Sequence, residues 1–372
     1  MTPIRFRADH IGSFLRPAAL LDLRRAHGAG RVSDADLHAA EDQAIRDVVS
    51  LQERVGLPVI TDGELRRRSY HSFFFAHLGD IVPDYVPPEE EGVMAGTPKR
   101  GVQPVARIGS KVSRAKPIQL DDFRFLSAMT KHTAKVTIPG PCALHFRGGD
   151  AAALASAYTD IDAYWNDIVA AFRAELIDLA AAGCEYVQMD ETAFAKFGDP
   201  EVQATLAARG DDWREVIDLY VSITNRVLQD IPNMRIGVHL CRGNRGGQFH
   251  AEGGYDVVAE KLFNDLAAHH FLLEYDSPRA GDFSPLRFAP SSKGIVLGLV
   301  STKSPKLENK DDLKRRIDEA AKFTPLENLA ISPQCGFASV DTGNPVSFAD
   351  QEAKLSIVVE TACDVWGDIK AD

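Results

Sequence analysis

The sequence predicts a (β/α)8 barrel, an α/β fold in which eight parallel strands alternate with helices, carrying an inserted hairpin or cap segment. Three observations lead there. Eight short apolar, β-branched runs are separated by amphipathic helical patterns; the C-terminal ends of those runs carry chemically capable residues; and a single stretch, 76–132, breaks the rhythm. A doubly wound open sheet is the competing arrangement, but it accounts less readily for eight strands whose ends all look functional.

In chain order, the strands are expected at FRADHIGS (6–13), LPVITDG (57–63), AKVTIPG (134–140), EYVQMD (185–190), RIGVHL (235–240), HFLLEY (270–275), GIVLGLVS (294–301) and LAISPQ (329–334). Helices are expected over 33–56, 158–183, 213–231, 255–266, 309–323 and 347–366, where apolar residues recur at the spacing of one buried face. Ser33 and Ser347 suit N-caps, and Gly56 and Gly183 follow the last periodic residues of their helices. Within 76–132, DIVPDYVPPEEEG and VQPVARIGSKVSRAKPIQL read as a Pro-rich loop and a two-stranded hairpin. At over fifty residues this is too long for an ordinary connection, so it is expected to cap the barrel mouth.

Composition narrows the classes. The 372 residues are 45% hydrophobic, an ordinary globular profile, and are expected to form one domain over 1–372 because α/β barrels exceed the average domain length. A net charge of −11 without a clustered basic stretch argues against nucleic acid and anionic membranes as partners. No apolar run approaches the roughly 18 residues needed to cross a bilayer, and MTPIRFRADHIGSF lacks the apolar core of a secretory signal. Five cysteines do not make a disulfide framework in so long a chain, and thiols kept as metal ligands suit a reducing cytoplasm.

In a barrel of this kind chemistry gathers at the C-terminal rim. Four residues there form a zinc-ligand set that no local motif contains: His239 and Cys241 in VHLCRGN, Glu274 in FLLEYDS and Cys335 in SPQCGF. Zinc accepts thiolates, an imidazole and a carboxylate together. A structural site would be local and all Cys/His; a mixed set from separate elements, with an exchangeable carboxylate, fits a site that accepts a substrate. Strand one ends in HIGSF (10–14), strand two in DGE (62–64) and strand four in MDE (189–191). Glu64 and Asp190 facing one pocket suit an ammonium group, and the small Ile11-Gly12-Ser13 segment lets backbone N–H groups approach a carboxylate. Together they outline an amino-acid-shaped subsite beside a thiophilic metal.

Several neighbours stay open. Glu191 reads equally as a site residue or a helix cap, and His10 as a substrate contact or a satisfied rim histidine. Arg16, Arg68 and Arg242 lie close to rim motifs and are candidates for an anionic substrate tail. Tyr70, Phe73, Phe74 and Phe75 either line the pocket or pack the core, and Cys142, Cys184 and Cys363 read as small buried hydrophobes.

The order HIGSF, DGE, VTIPGP, QMDE, HLC, a lone Glu, a Ser-Pro turn and PQCG resembles the C-terminal catalytic barrel of cobalamin-independent methionine synthases, over about residues 8–340. The resemblance implies Zn2+ held by His239, Cys241, Glu274 and Cys335; from the metal chemistry, Glu274 is expected to be the ligand that leaves to admit the substrate sulfur. It places the amino group of homocysteine at Glu64 and Asp190 and its carboxylate at Ile11 and Ser13. The implied enzyme is a zinc-dependent thiol S-methyltransferase that turns L-homocysteine into methionine. Its small-molecule thiol would meet a methyl donor, either methyltetrahydrofolate or another carrier such as a methyl-corrinoid protein.

Two departures matter. The full-length synthases add an N-terminal barrel that helps bind polyglutamyl methylfolate, so this chain resembles the short, single-barrel members. The family's DIHSP turn here reads Ser301-Thr302-Lys303-Ser304-Pro305, which puts Lys303 in the place of a catalytic proton donor. A lysine, with a reference pKa of about 10.4, is a poor shuttle unless burial lowers it. Two alternatives share the zinc-thiolate step: alkyl transfer to another thiol or electrophile, as in the addition of coenzyme M to epoxides, and the thiol-methylating half of a corrinoid-linked system. A sulfonate thiol would not need both Glu64 and Asp190.

Overall fold

Apolar runs buried on both faces assemble into a parallel sheet whose strand order follows the chain. The computed structural model describes residues 6–85 and 105–369. Its strands are β1 (Val59–Ile60), β2 (Ile81–Tyr85), β3 (Val105–Ile108), β4 (Thr133–Pro139), β5 (Tyr186–Asp190), β6 (Arg235–Leu240), β7 (His270–Glu274), β8 (Gly294–Val300) and β9 (Leu329–Pro333). Seven of them pair in the order β1-β4-β5-β6-β7-β8-β9, all parallel, and β2 pairs with β3 as an antiparallel hairpin. A doubly wound sheet reverses its strand order at a switch point; this one never reverses. Instead it curls, and the Ala8↔Ile331 bridge returns β9 to the start of the chain. Asp9 donates its N–H to Ile331 O at 3.0 Å, and Thr61 Oγ1 donates to Gly12 O at 2.8 Å on the β1 side.

Two of the eight expected strands need correction. Segment 6–13 forms isolated bridges instead of a strand, and only Val59 and Ile60 of 57–63 are extended and paired. The backbone explains it. Gly12 has φ +125°, Gly63 +67° and Glu64 +57°, all outside the β region, so a ladder cannot continue through either rim turn. What these segments lose as strands they gain as turns that aim side chains into the pocket.

The expected helices form at Asp34–Arg54, Ile161–Ala181, Trp213–Leu228, Ala259–Asp265, Lys310–Ala320 and Phe348–Trp366. The Ser33 hydroxyl accepts the Asp36 N–H at 3.1 Å, and Ser347 with Asp350 makes a capping box. Gly56 and Gly183 sit just past their helices with φ +87° and +88°. Helices also form at Ala18–Gly28, Leu120–Ser127, Ala143–Leu154 and Pro200–Ala208, where no periodic pattern announced them.

Within the stretch 76–132 the expected two-stranded hairpin forms, along with a helix the sequence did not announce. The described parts of the stretch are the β2–β3 hairpin, tied by the Asp80–Arg107 ion pair at 2.7 Å, and that helix, which packs on β4. Residues 86–104, where the rest of the expected cap falls, lie outside the described residues. Arg147 donates to Pro83 O at 3.2 Å, which anchors the hairpin to a side chain of the pocket wall. Among the described residues no helix is long and apolar enough to cross a membrane.

Candidate active site

The C-terminal ends of β5, β6 and β9 open into a cavity of about 280 Å³. His239, the penultimate residue of β6, Cys241 just beyond it, and Cys335 two residues past β9 meet at its base, all buried, with their ligand atoms within 4.8 Å of one another. The His239 Nε2 lies 3.5 Å from Cys335 Sγ, and its Nδ1 lies 3.2 Å from Leu272 O. Because that carbonyl can only accept, it fixes the proton on Nδ1 and leaves the Nε2 lone pair for a cation. A hydrogen bond from Cys335 holds the Cys241 thiol well below its ordinary value and Cys335 correspondingly above it. Two buried sulfurs so close cannot both ionise without positive charge between them. Two thiols and an oriented imidazole are a soft donor set that fits zinc.

Glu274, the fourth expected ligand, is not a member of that group of three. It ends β7, fully buried, and its Oε2 accepts the Arg242 N–H at 2.5 Å. Its Oε1 accepts from Arg279 and from Lys303 Nζ, the latter at 3.4 Å. Burial works against this carboxylate, but Lys303, Arg242 and Arg279 outweigh it and take its pKa down to about 2. For Lys303 the balance is reciprocal: burial opposes the ammonium, yet Glu274 and then Cys335 raise its pKa above the ordinary value. Burial thus does not turn Lys303 into a neutral-pH proton shuttle.

Ile11, Ser13, Glu64 and Asp190 all line the same cavity, as the strand-end pattern expected, and Asp190 sits in register beside His239. Thr137 Oγ1 donates to Glu64 Oε1 at 2.8 Å and Arg67 approaches the same oxygen at 3.6 Å. Glu64 Oε2 is buried and has no partner among the described residues. Burial pushes the Asp190 carboxyl up to about 7, with His239 opposing and Glu64 adding to the rise. Two carboxylates facing one cavity, one with an orphan oxygen, make an acceptor site for a cation. Gly12 permits the approach: a Cβ there would stand 2.6 Å from Thr137 Cγ2.

The open candidates resolve individually. Arg16 is buried and donates to the carbonyls of Ala338, Glu64 and Arg67, and Arg242 is buried with Nε on Gly253 O at 2.7 Å, so both brace loops. Arg68 is exposed on the cavity wall. Burial lowers His10 to about 3, and its Nε2 bonds Val59 O at 3.1 Å, away from the cavity lining. Glu191 turns to the Cys142 N–H at 3.1 Å. Tyr70 lines the cavity, Phe74 and Phe75 are core, and Phe73 lies under the Arg67 guanidinium. Cys142 and Cys184 are buried as expected, whereas Cys363 is exposed near the end of the last helix.

Sequence reasoning missed the basic side of the cavity: Arg147, Lys196, Arg245, His71 and His250. A signal existed for part of it. CRGNRGGQFH is rich in Gly directly after a rim strand, and Gly243, with φ +105°, packs so tightly on His250 that a Cβ would come within 2.1 Å of its ring.

The family described as "Cobalamin-independent synthase, Catalytic domain" matches residues 6–348. The chain belongs to this family. YxjH of Bacillus subtilis is 37% identical over 364 residues, covering 97% of this chain and 95% of its own length. A Listeria monocytogenes structure assigned as a vitamin-B12-independent methionine synthase is 30% identical, with a TM-score of 0.75 and 98% of each chain covered. A B12-independent methionine synthase of Shewanella sp. W3-18-1, solved with selenomethionine, shares the fold with a TM-score of 0.75 at 19% identity, over 97% of this chain and 98% of that one. The chain thus has the fold of a methionine-synthase-like methyltransferase, a family whose solved members are of the TIM-barrel type.

Proposed function

We propose that this cobalamin-independent synthase family member is a zinc-dependent thiol S-methyltransferase whose acceptor is L-homocysteine. The observation that carries the reading is the shared cavity: it is lined by the buried His239, Cys241 and Cys335 together with Glu64 and Asp190. We read segment 6–13 as the eighth member of a closed (β/α)8 barrel, since it lies between β9 and β1 and carries the Ile11-Gly12-Ser13 turn into the site.

Zinc held by His239, Cys241 and Cys335, with Glu274 as the fourth expected ligand, would supply the charge that keeps a substrate thiol deprotonated at neutral pH. The residues of the chain do the rest. Glu64 and Asp190 take the ammonium, the backbone of Ile11 and Ser13 receives the carboxylate, and the acceptor sulfur is thereby aimed at the cluster. Lys303 and Arg279 hold the Glu274 carboxylate while the site awaits substrate, so Lys303 acts as a fixed cation. The methyl donor is a small molecule entering from the basic side, where Arg68, Arg147 and Arg245 stand. Free thiols kept for metal binding fit a reducing cytoplasm, the compartment this reading expects.

Isothermal titration of the zinc-loaded protein with L-homocysteine, coenzyme M and cysteine tests the reading. Selective binding of homocysteine, weakened about tenfold or more in Asp190→Asn, is expected. Preference for coenzyme M, or no binding, would overturn homocysteine as the acceptor.

A further inference from the structure

We propose that Gln188 is a positioning residue that presents Asp190 and Ile11 together to the amino-acid end of the substrate; this rests on the homocysteine reading above. Gln188 lies in the middle of β5, fully buried, two residues before Asp190 and therefore on the same face of the strand. Its Nε2 donates to Asp190 Oδ1 at 2.8 Å and to Ile11 O at 2.6 Å. One amide group thus joins the two walls of the subsite, the carboxylate that takes the ammonium and the turn that takes the carboxylate.

The orientation of that amide is forced by its neighbours. Gln188 Oε1 accepts from Lys135 Nζ at 3.0 Å. Lys135 also donates to Asp9 Oδ1 at 2.8 Å and to His10 O, so its three protons are all engaged. Tyr186 O–H donates to the other Asp9 oxygen at 2.7 Å, which fixes the carboxylate behind the lysine. If the amide were flipped, its NH2 would face an ammonium that only donates, and its oxygen would face a carbonyl and a carboxylate that only accept. The lysine beneath the pocket therefore dictates that Gln188 offers N–H groups upward. Gln188 thus engages Asp190 through Oδ1, and in this reading the other carboxylate oxygen turns to the substrate ammonium in the cavity.

The polar chain is fully buried: the Lys135 side chain is 0% exposed and that of Asp9 3%. A buried network of this kind costs desolvation that an apolar barrel interior would avoid. Its upper end, the Gln188 amide, terminates on the two groups assigned to the amino-acid substrate.

The test compares zinc-loaded wild type, Gln188→Met and Gln188→Glu by isothermal titration with L-homocysteine and with 4-mercaptobutanoate, the same thiol without its amino group. Zinc content and circular dichroism are measured alongside. Both variants should bind homocysteine about tenfold or more weakly, the scale of a lost hydrogen bond to a charged group. Binding of 4-mercaptobutanoate, which keeps the carboxylate met at the Ile11 turn but lacks the ammonium met at Asp190, should weaken clearly less than that of homocysteine. Gln188→Glu keeps an acceptor for Lys135, so it decides the matter if Gln188→Met fails to fold. Equal losses for the two thiols would reduce Gln188 to a structural residue, and unchanged homocysteine binding would remove it from the site. Wild-type protein that binds both thiols equally would instead overturn the amino-acid reading, and the inference with it.

Discussion

Glu274 and Glu64 are two buried carboxylates at the same end of the sheet, and they are treated in opposite ways. Glu274 is saturated: a backbone N–H, Arg279 and Lys303 surround its two oxygens. Glu64 shares one oxygen with Thr137 and Arg67 and leaves the other without a donor among the described residues, facing the cavity. Both are buried, so the difference lies in how completely each is partnered. The protein answers Glu274 with its own cations. Glu64 is met by Arg67 and Thr137 on one oxygen only, and in the reading proposed above its other oxygen, with Asp190, receives the substrate ammonium.

The largest expected effect breaks that comparison directly. Glu274→Gln takes the shared carboxylate from Arg279, Lys303 and Arg242 and leaves Asp276, 3.2 Å from Arg279, as the remaining carboxylate partner, and urea unfolding with a chelator present should show a loss of about 3–5 kcal/mol. Glu64→Gln should cost less under the same conditions, because only Thr137 and a single Arg67 at 3.6 Å meet its one engaged oxygen. Equal losses would erase the distinction between a saturated and a waiting carboxylate.

Zinc affinity sharpens it next. About 10–16 kcal/mol shared among a structural site's ligands is about 3 kcal/mol each. Cys335→Ala should therefore weaken zinc binding about 100-fold or more in competition with a chromophoric chelator. Glu274→Gln should weaken it less, because its carboxylate must leave Arg279 and Lys303 to bind metal. The reverse ranking would make Glu274 a resident ligand.

The smallest effect is in pH. The Glu274 pKa falls from an ordinary 4.5 to about 2 in the folded chain. Its contribution is then fully present above about pH 4.5 and is lost as pH drops through about 2. The stability gap between wild type and Glu274→Gln should shrink across that window. A gap that widens on acidification would mean that the pairing with Lys303 and Arg279 does not stabilise the fold.

Much of the architecture was legible in the sequence because periodicity is a local property. Ser33, Ser347, Gly56 and Gly183 marked helix ends correctly, since a cap is chosen by a few neighbouring backbone groups. The turns at Gly12 and Gly63 were misread as strand because apolar alternation does not report φ. The helix Leu120–Ser127 escaped because it is too short to display a period.

In the site, His239, Cys241 and Cys335 were readable from residue type at strand ends, as were Ile11, Ser13, Glu64 and Asp190. Lys196 and Arg147 were not: they come from segments beyond the rim motifs, and nothing local distinguishes them from other basic residues.

The sequence by itself determined the order of strands and helices and the residue types at each strand end, because hydrophobic period and side-chain chemistry are carried residue by residue. Only the tertiary structure decided how each charge is partnered. Arg16 and Arg242 became braces and Arg68 stayed exposed at the cavity; Glu274 was saturated and Glu64 was not; Lys135 fixed Gln188 beneath Asp190. Hydrogen-bond partners more than a hundred residues apart are set by the closing of the sheet, and burial makes each of those choices count.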